Sequence, residues 1–187
     1  MPLAELRKLI ERFKQQGDNT PIALNDIDAR ICAIQEIISM CTKEIRAFIF
    51  FDEHGESELF DVLADEHVSR QLSKALNHTS IKIVTNNTSE LKKLSFVNRN
   101  LDDGTKKLFI NPIPRKLKDE IIQDTLDNEF FLAAPGHLVF LGRYAIENNE
   151  KLAEVSSFLS LFDSGFYETL AQYFDTTVSR VTDGEFR

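Results

Sequence analysis

The run Ile45-Arg46-Ala47-Phe48-Ile49-Phe50-Phe51 constrains this chain more than any other feature. A single charge interrupts it, so side chains pointing both ways from an extended backbone are apolar. A strand of that kind is buried on both faces and needs cover on each side. Ile81 to Thr85 repeats the pattern on a smaller scale. Between the two runs, Leu59, Phe60, Leu63, Val68, Leu72 and Leu76 fall at helical spacing, which predicts a helix from Glu58 to Leu76. Strand, helix, strand in that order predicts an α/β protein with a mixed, mostly parallel sheet flanked by helices.

The rest of the chain extends this pattern. Leu3, Leu6, Leu9, Ile10 and Phe13 predict an N-terminal helix over 3–16, stopped by Gly17. A short strand is expected from Pro21 to Leu24. Asn25 or Asp26 can cap a helix reaching about Thr42, with Ile27, Ile31, Ile34, Ile37 and Ile38 as its apolar stripe. After the second core strand come a short helix over Thr88–Lys93, a strand over Leu94–Val97 and a turn at Asp102-Asp103-Gly104. A further strand over Leu108–Asn111 is closed by Pro112 and Pro114. Residues 115–128 read as polar and partly helical. Two runs, Glu129–Ala134 and Leu138–Gly142, flank Pro135-Gly136, a hairpin signal in which Pro presets one turn residue and Gly supplies positive φ. A final helix near Gly165–Phe174 carries a Phe-rich face that includes Phe158, Leu161 and Phe162. The expected organisation is one domain over 1–187: an N-terminal helix (1–17), a core (21–178) and a loose tail (183–187).

Charge and cysteine content narrow the function classes. The net charge is −8, with the acidic excess spread over both halves of the chain. Phosphate neutralisation supplies most nonspecific affinity for nucleic acid and anionic membrane, so this composition argues against both. No Gly-rich phosphate loop is present, and no cofactor is expected. Cys32 and Cys41 lie on one expected helix, about 13.5 Å apart along its axis, too far for a disulfide. They read as free thiols of a reducing compartment. Met1-Pro2 leads into a charged amphipathic stretch unlike a secretion leader, and no apolar run is long enough for membrane insertion. The expected location is cytoplasmic.

The element order, the Leu59-Phe60-Asp61 step and the late hairpin together resemble one half of the phospholipase D superfamily over roughly residues 21–178. The family motif is His-x-Lys-x4-Asp-Gly, with a second Gly six residues after the first. Gly136 and Gly142 keep that spacing here, with apolar runs on either side of the turn. The chemical positions differ. Asn128 stands where the family has His, Phe130 where it has Lys, and Pro135 where it has Asp. The resemblance implies a covalent mechanism in which His attacks phosphorus and Lys stabilises the charged oxygens. Asn is too weak a nucleophile, Phe cannot hold an anion, and Pro offers neither acceptor nor donor. The expectation is a degenerate domain without phosphodiesterase activity, serving as an interaction or sensing module for an unidentified protein or small molecule. Single-motif members of the family pair to complete a cleft, so the resemblance also implies a homodimer. The N-terminal helix, outside the family-like core, either packs on the parent sheet or forms that contact.

Other residues carry alternative chemistry. Asp52, Glu53 and His54 follow the end of the central strand, where ligands bind open α/β sheets. They read first as a solvated acidic loop; the alternative is a divalent-metal site serving a hydrolase. No spacing here matches an established metal motif. His137 follows the hairpin turn and reads first as a surface histidine, with projection into a cleft as the alternative. Lys106, Lys107, Arg115, Lys116 and Lys118 form the one basic concentration, diluted by Asp102, Asp103, Asp119 and Glu120. They leave a nucleic-acid accessory role as a third option.

Overall fold

The computed structural model describes residues 1–102, 107–125, 128–142, 144–147, 150–154 and 157–184. Helix α1 (Leu3–Gln16) ends on Gly17, whose φ of 64° is the left-handed conformation glycine adopts without strain. Strand β1 (Ile22–Ala23) and helix α2 (Ile27–Met40) follow. Asp26 caps α2 by accepting from Ala29 N at 2.8 Å. Then come β2 (Glu44–Ile49), α3 (Glu58–Ala64), α4 (Glu66–Ala75) and β3 (Ser80–Thr85). The single helix expected over 58–76 is divided at Asp65, whose carboxylate accepts from His67 N and Val68 N and so starts a new helix.

Beyond β3 lie α5 (Thr88–Leu91), α6 (Ser95–Asp102), β4 (Leu108–Pro112) and α7 (Arg115–Thr125). The strand expected at Leu94–Val97 is the start of α6. Both neighbours of β3 in the sheet are already taken, and Leu94, Phe96 and Val97 bury against helices instead. Strands β5 (Glu129–Ala133) and β6 (His137–Leu141) form the expected hairpin, with Gly136 at φ 72° in the turn. The ribbon β7 (Tyr144–Glu147) and β8 (Glu150–Glu154) follows, then β9 (Phe158–Ser160) and α8 (Ser164–Gly184). Phe158, expected on the last helix, is therefore a strand residue, and Asp183, expected in a loose tail, has helical backbone. Residues 185–187 and Lys106 lie outside the described residues.

Among the described residues, one sheet runs in the order β1-β9-β6-β5-β2-β3-β4, with β7 and β8 paired apart from it. The β2–β3 and β3–β4 pairings are parallel. The β5–β2, β6–β5, β9–β6 and β1–β9 pairings are antiparallel. The sheet is mixed and flanked by helices, as expected, but not mostly parallel. The parallel neighbours β2, β3 and β4 are joined through helices, whereas β5 and β6 are joined by a hairpin, which makes antiparallel neighbours.

Two apolar layers cover the sheet. Ile45, Ala47, Ile49, Phe131, Ala133, Val139 and Leu159 pack with α1 to α4 and α6. Phe48, Phe50, Val84, Phe130, Leu132 and Leu138 pack with α7 and α8. The stripe of α1 is thus buried within this chain, through Leu6, Ile10 and Phe13. Strand alternation sends neighbouring residues to opposite layers, which makes residues 128–130 the place where the two layers meet distinct chemistry.

Candidate functional site

The site is built from the C-terminal end of β2 and the N-terminal end of β5. These lie together because β5 runs antiparallel to β2, with Phe48 opposite Phe130. Past β2, the backbone of Phe51 is held by the side chain of Asn86. Phe51 N donates to Asn86 Oδ1 at 2.9 Å, and Asn86 Nδ2 donates to Phe51 O at 2.7 Å. The acidic loop then folds on itself. Asp52 Oδ1 accepts from His54 N at 2.8 Å and Glu56 N at 2.9 Å, while Gly55, at φ 80°, turns its N–H to Asp52 O. The side chains of His54 and Glu53 are 74% and 86% exposed and 3.6 Å apart. Asp52 therefore spends its carboxylate on backbone donors while its two neighbours face solvent. Among the described residues no three His, Cys, Asp or Glu side chains converge as metal ligands. Burial, and then the charge of Glu56, pushes the Asp61 carboxyl above its ordinary range.

Glu129 is the residue that sequence reasoning missed. It is fully buried on the α3 side of the sheet. Its Oε1 accepts from Phe50 N at 2.8 Å and Ser57 Oγ at 2.6 Å, and its Oε2 accepts from Leu59 N at 3.1 Å. Ser57 in turn accepts from Phe60 N at 3.0 Å and caps α3. One carboxylate thus ties the start of β5 to both ends of the acidic loop, with charge-assisted bonds. A lone acid opening the apolar run Glu129–Ala133 was the available signal.

Asn128 and Phe130 serve the opposite layer. Together with Phe140, Phe166, Thr169, Leu170 and Tyr173 they line a cavity of about 250 Å³ between the sheet and α8. Its walls continue an aromatic layer. Phe130 stacks on Phe48 with centroids 5.2 Å apart, Tyr173 meets Phe48 edge-on at 5.9 Å, and Phe140 stacks on Phe158 at 5.4 Å. Asn128, Thr169 and the hydroxyl-bearing Tyr173 are the polar members. The other motif position, Pro135, lies in the turn at the far end of β5 and does not reach this cavity.

His137 is also remote from it, and the surface position expected for it is not observed. It is 4% exposed, opposite Ala133, with Phe162 edge-on at 5.1 Å. A histidine after a tight turn is placed inside here because it is already the first residue of β6. Its side chain shares a face with Val139 and Leu141. Burial, then the charge of Lys14, lowers its pKa below 6.5. Nδ1 has no hydrogen-bond partner among the described residues. The basic segment is split by β4. Lys107 precedes the strand and donates to Asn77 O, whereas Arg115, Lys116 and Lys118 follow it on α7.

No protein-family model and no curated protein sequence matches the chain. Among solved structures, TrmBL2 is similar at a TM-score of 0.55 and 11% identity. TrmBL2 is an archaeal chromatin protein whose structure shows a novel mode of DNA binding. The match covers 95% of this chain and 61% of that one, so this chain spans about three fifths of the length of TrmBL2. Nuc, a phospholipase D family member from Salmonella typhimurium, is similar at a TM-score of 0.49 and 10% identity, over 84% of this chain and 94% of that one. The likeness to TrmBL2 is one of fold. Among the described residues, no helix is long and apolar enough to cross a membrane.

Proposed function

We propose that residues 21–178 form a phospholipase D-like domain that has lost hydrolysis and retains, beneath α8, a binding cavity for an interaction or sensing role. The observation that carries this reading is the lining of the cavity: Asn128 and Phe130 sit in it, and its other walls are Phe140, Phe166, Thr169, Leu170 and Tyr173. Phosphoryl transfer at such a place needs a nucleophile and positive charge aimed at the developing oxyanion. Asn128 and Phe130 supply neither, and no cationic side chain is among the lining residues. They suit an apolar molecule anchored by few hydrogen bonds, the common character of small-molecule pockets.

The test has two arms. A chromogenic phosphodiester should be turned over no faster than in buffer. Turnover that disappears in Asn128→Ala would overturn the reading. The environment-sensitive dye anilinonaphthalene sulfonate should bind the folded protein, and Leu170→Trp, which fills the cavity, should abolish that binding.

A second reading, association with DNA, is favoured by the fold shared with TrmBL2. The net charge of −8 opposes it. Duplex binding whose affinity falls steeply with added salt would support it. The metal-hydrolase reading loses ground because Asp52 is committed to the backbone of its own turn.

A further inference from the structure

A second cavity, of about 400 Å³, lies on the other side of the sheet among three helices. Arg7 of α1, Gln35 of α2 and His67, Arg70, Gln71 and Lys74 of α4 line it. The four α4 residues are spaced i, i+3, i+4, i+7 and so form one stripe. Val68, Leu72 and Ala75 on the neighbouring face are buried and fix the rotation of the helix. Three permanent cations therefore converge on one recess, and no carboxylate is among its lining residues. In a chain with net charge −8 that is a local inversion of sign.

The cations are only partly neutralised. Arg70 pairs with Glu66 one turn earlier on the exposed side of α4. Arg7 and Lys74 make no ion pair among the described residues. The amide oxygen of Gln71 is buried without a hydrogen-bond partner, so its N–H2 half is what Gln71 can offer a ligand. Two guanidinium forks and an ammonium are donors only, and the two amides and the His67 ring beside them carry no negative charge. Planar forks match the oxygens of phosphate and carboxylate, and they do so bidentately.

We propose that this cavity is an anion site for a small phosphate-bearing molecule, held by Arg7, Arg70 and Lys74. The size of the recess suits a compact anion such as a diphosphate group with a small organic part. Three cations line one recess, fewer than the row of contacts along which a nucleic-acid backbone is held. The proposal is independent of the cavity beneath α8.

Calorimetric titration of the whole chain with inorganic pyrophosphate at low ionic strength tests it. One saturable site is expected, with orthophosphate binding more weakly. Arg7→Gln, Arg70→Gln and Lys74→Gln should each weaken pyrophosphate by about tenfold, the loss expected for one charge-assisted hydrogen bond. These side chains are exposed, so unchanged urea midpoints should confirm that the variants fold. Leu170→Trp should leave pyrophosphate binding intact, so failure of one cavity is distinguishable from failure of the other. Absence of saturable pyrophosphate binding, or binding that survives the triple substitution, would refute the site. Duplex DNA that binds through the same three residues and is not displaced by pyrophosphate would also refute it, by giving the recess to nucleic acid.

Discussion

The sheet face under α1 to α6 and the face under α7 and α8 share every strand but differ in how they use polarity. The first encloses a charge: Glu129 is buried there with three donors around it. The second is an aromatic layer in which Phe48, Phe130 and Tyr173 pack around a void. Consecutive residues of one strand enter both environments. The difference teaches that one strand can serve an apolar cavity and a buried polar clamp at successive residues. Asn128 and Phe130 line a cavity, while the intervening Glu129 fastens the loop that closes the end of the sheet.

Substitutions can break or sharpen this contrast. Glu129→Ala should have the largest effect, about 5 kcal/mol, because Phe50 N, Ser57 Oγ and Leu59 N would be left buried without their acceptor. Urea denaturation measures it, and a loss under about 1 kcal/mol would mean that the carboxylate is not a clamp. Phe131→Ala, in the closely packed layer, should cost about 4 kcal/mol, and Phe130→Ala, already beside a void, about 3 kcal/mol. The order of those two values is the informative result; reversal would place the looser packing on the wrong face. Asp26→Ala removes the cap of α2 and should cost about 1 kcal/mol by the same measurement.

The smallest effect is pH-dependent. The folded-state pKa of His137 lies below its ordinary value of 6.5, so near and below that pH the unfolded chain takes up the proton first. The contribution of His137 to stability is present above pH 6.5 and is lost as pH falls through the lower folded-state pKa. Urea midpoints measured from pH 8 to pH 5 should decline on the acid side, and His137→Phe should flatten that part of the profile. An unchanged profile in the variant would show that other groups set the slope.

Legibility in the sequence followed locality. Strands β2 and β3 announced themselves because burial on both faces leaves a continuous apolar run. The β5–β6 hairpin was visible because its turn chemistry is contained in Pro135-Gly136. Strand β9 was not, since Phe158–Ser160 is short and becomes a strand only by pairing with β6 and β1, distant in sequence. The same reason hid α6, where Leu94–Val97 has strand-like composition but Ser95–Asp102 packs as a helix against α4. Motif spacing singled out Asn128 and Phe130, and both line the cavity beneath α8. The inward turn of His137 and the role of Glu129 were not legible, because each depends on which face of a strand a side chain takes, and Glu129 also on partners some 70 residues away such as Leu59.

The position of α8 has a consequence for how the chain is made. By the time β5 and β6 have been synthesised, the layer formed with α1 to α6 has all its helices. The aromatic side of the same strands lacks its main cover until residues 164–184 have followed. A nascent chain therefore displays Phe48, Phe130, Phe140 and Phe158 as an adhesive surface late in translation. Ribosomes stalled before residue 164 should hold a species that recruits holdase chaperones, and release of α8 should end that recruitment.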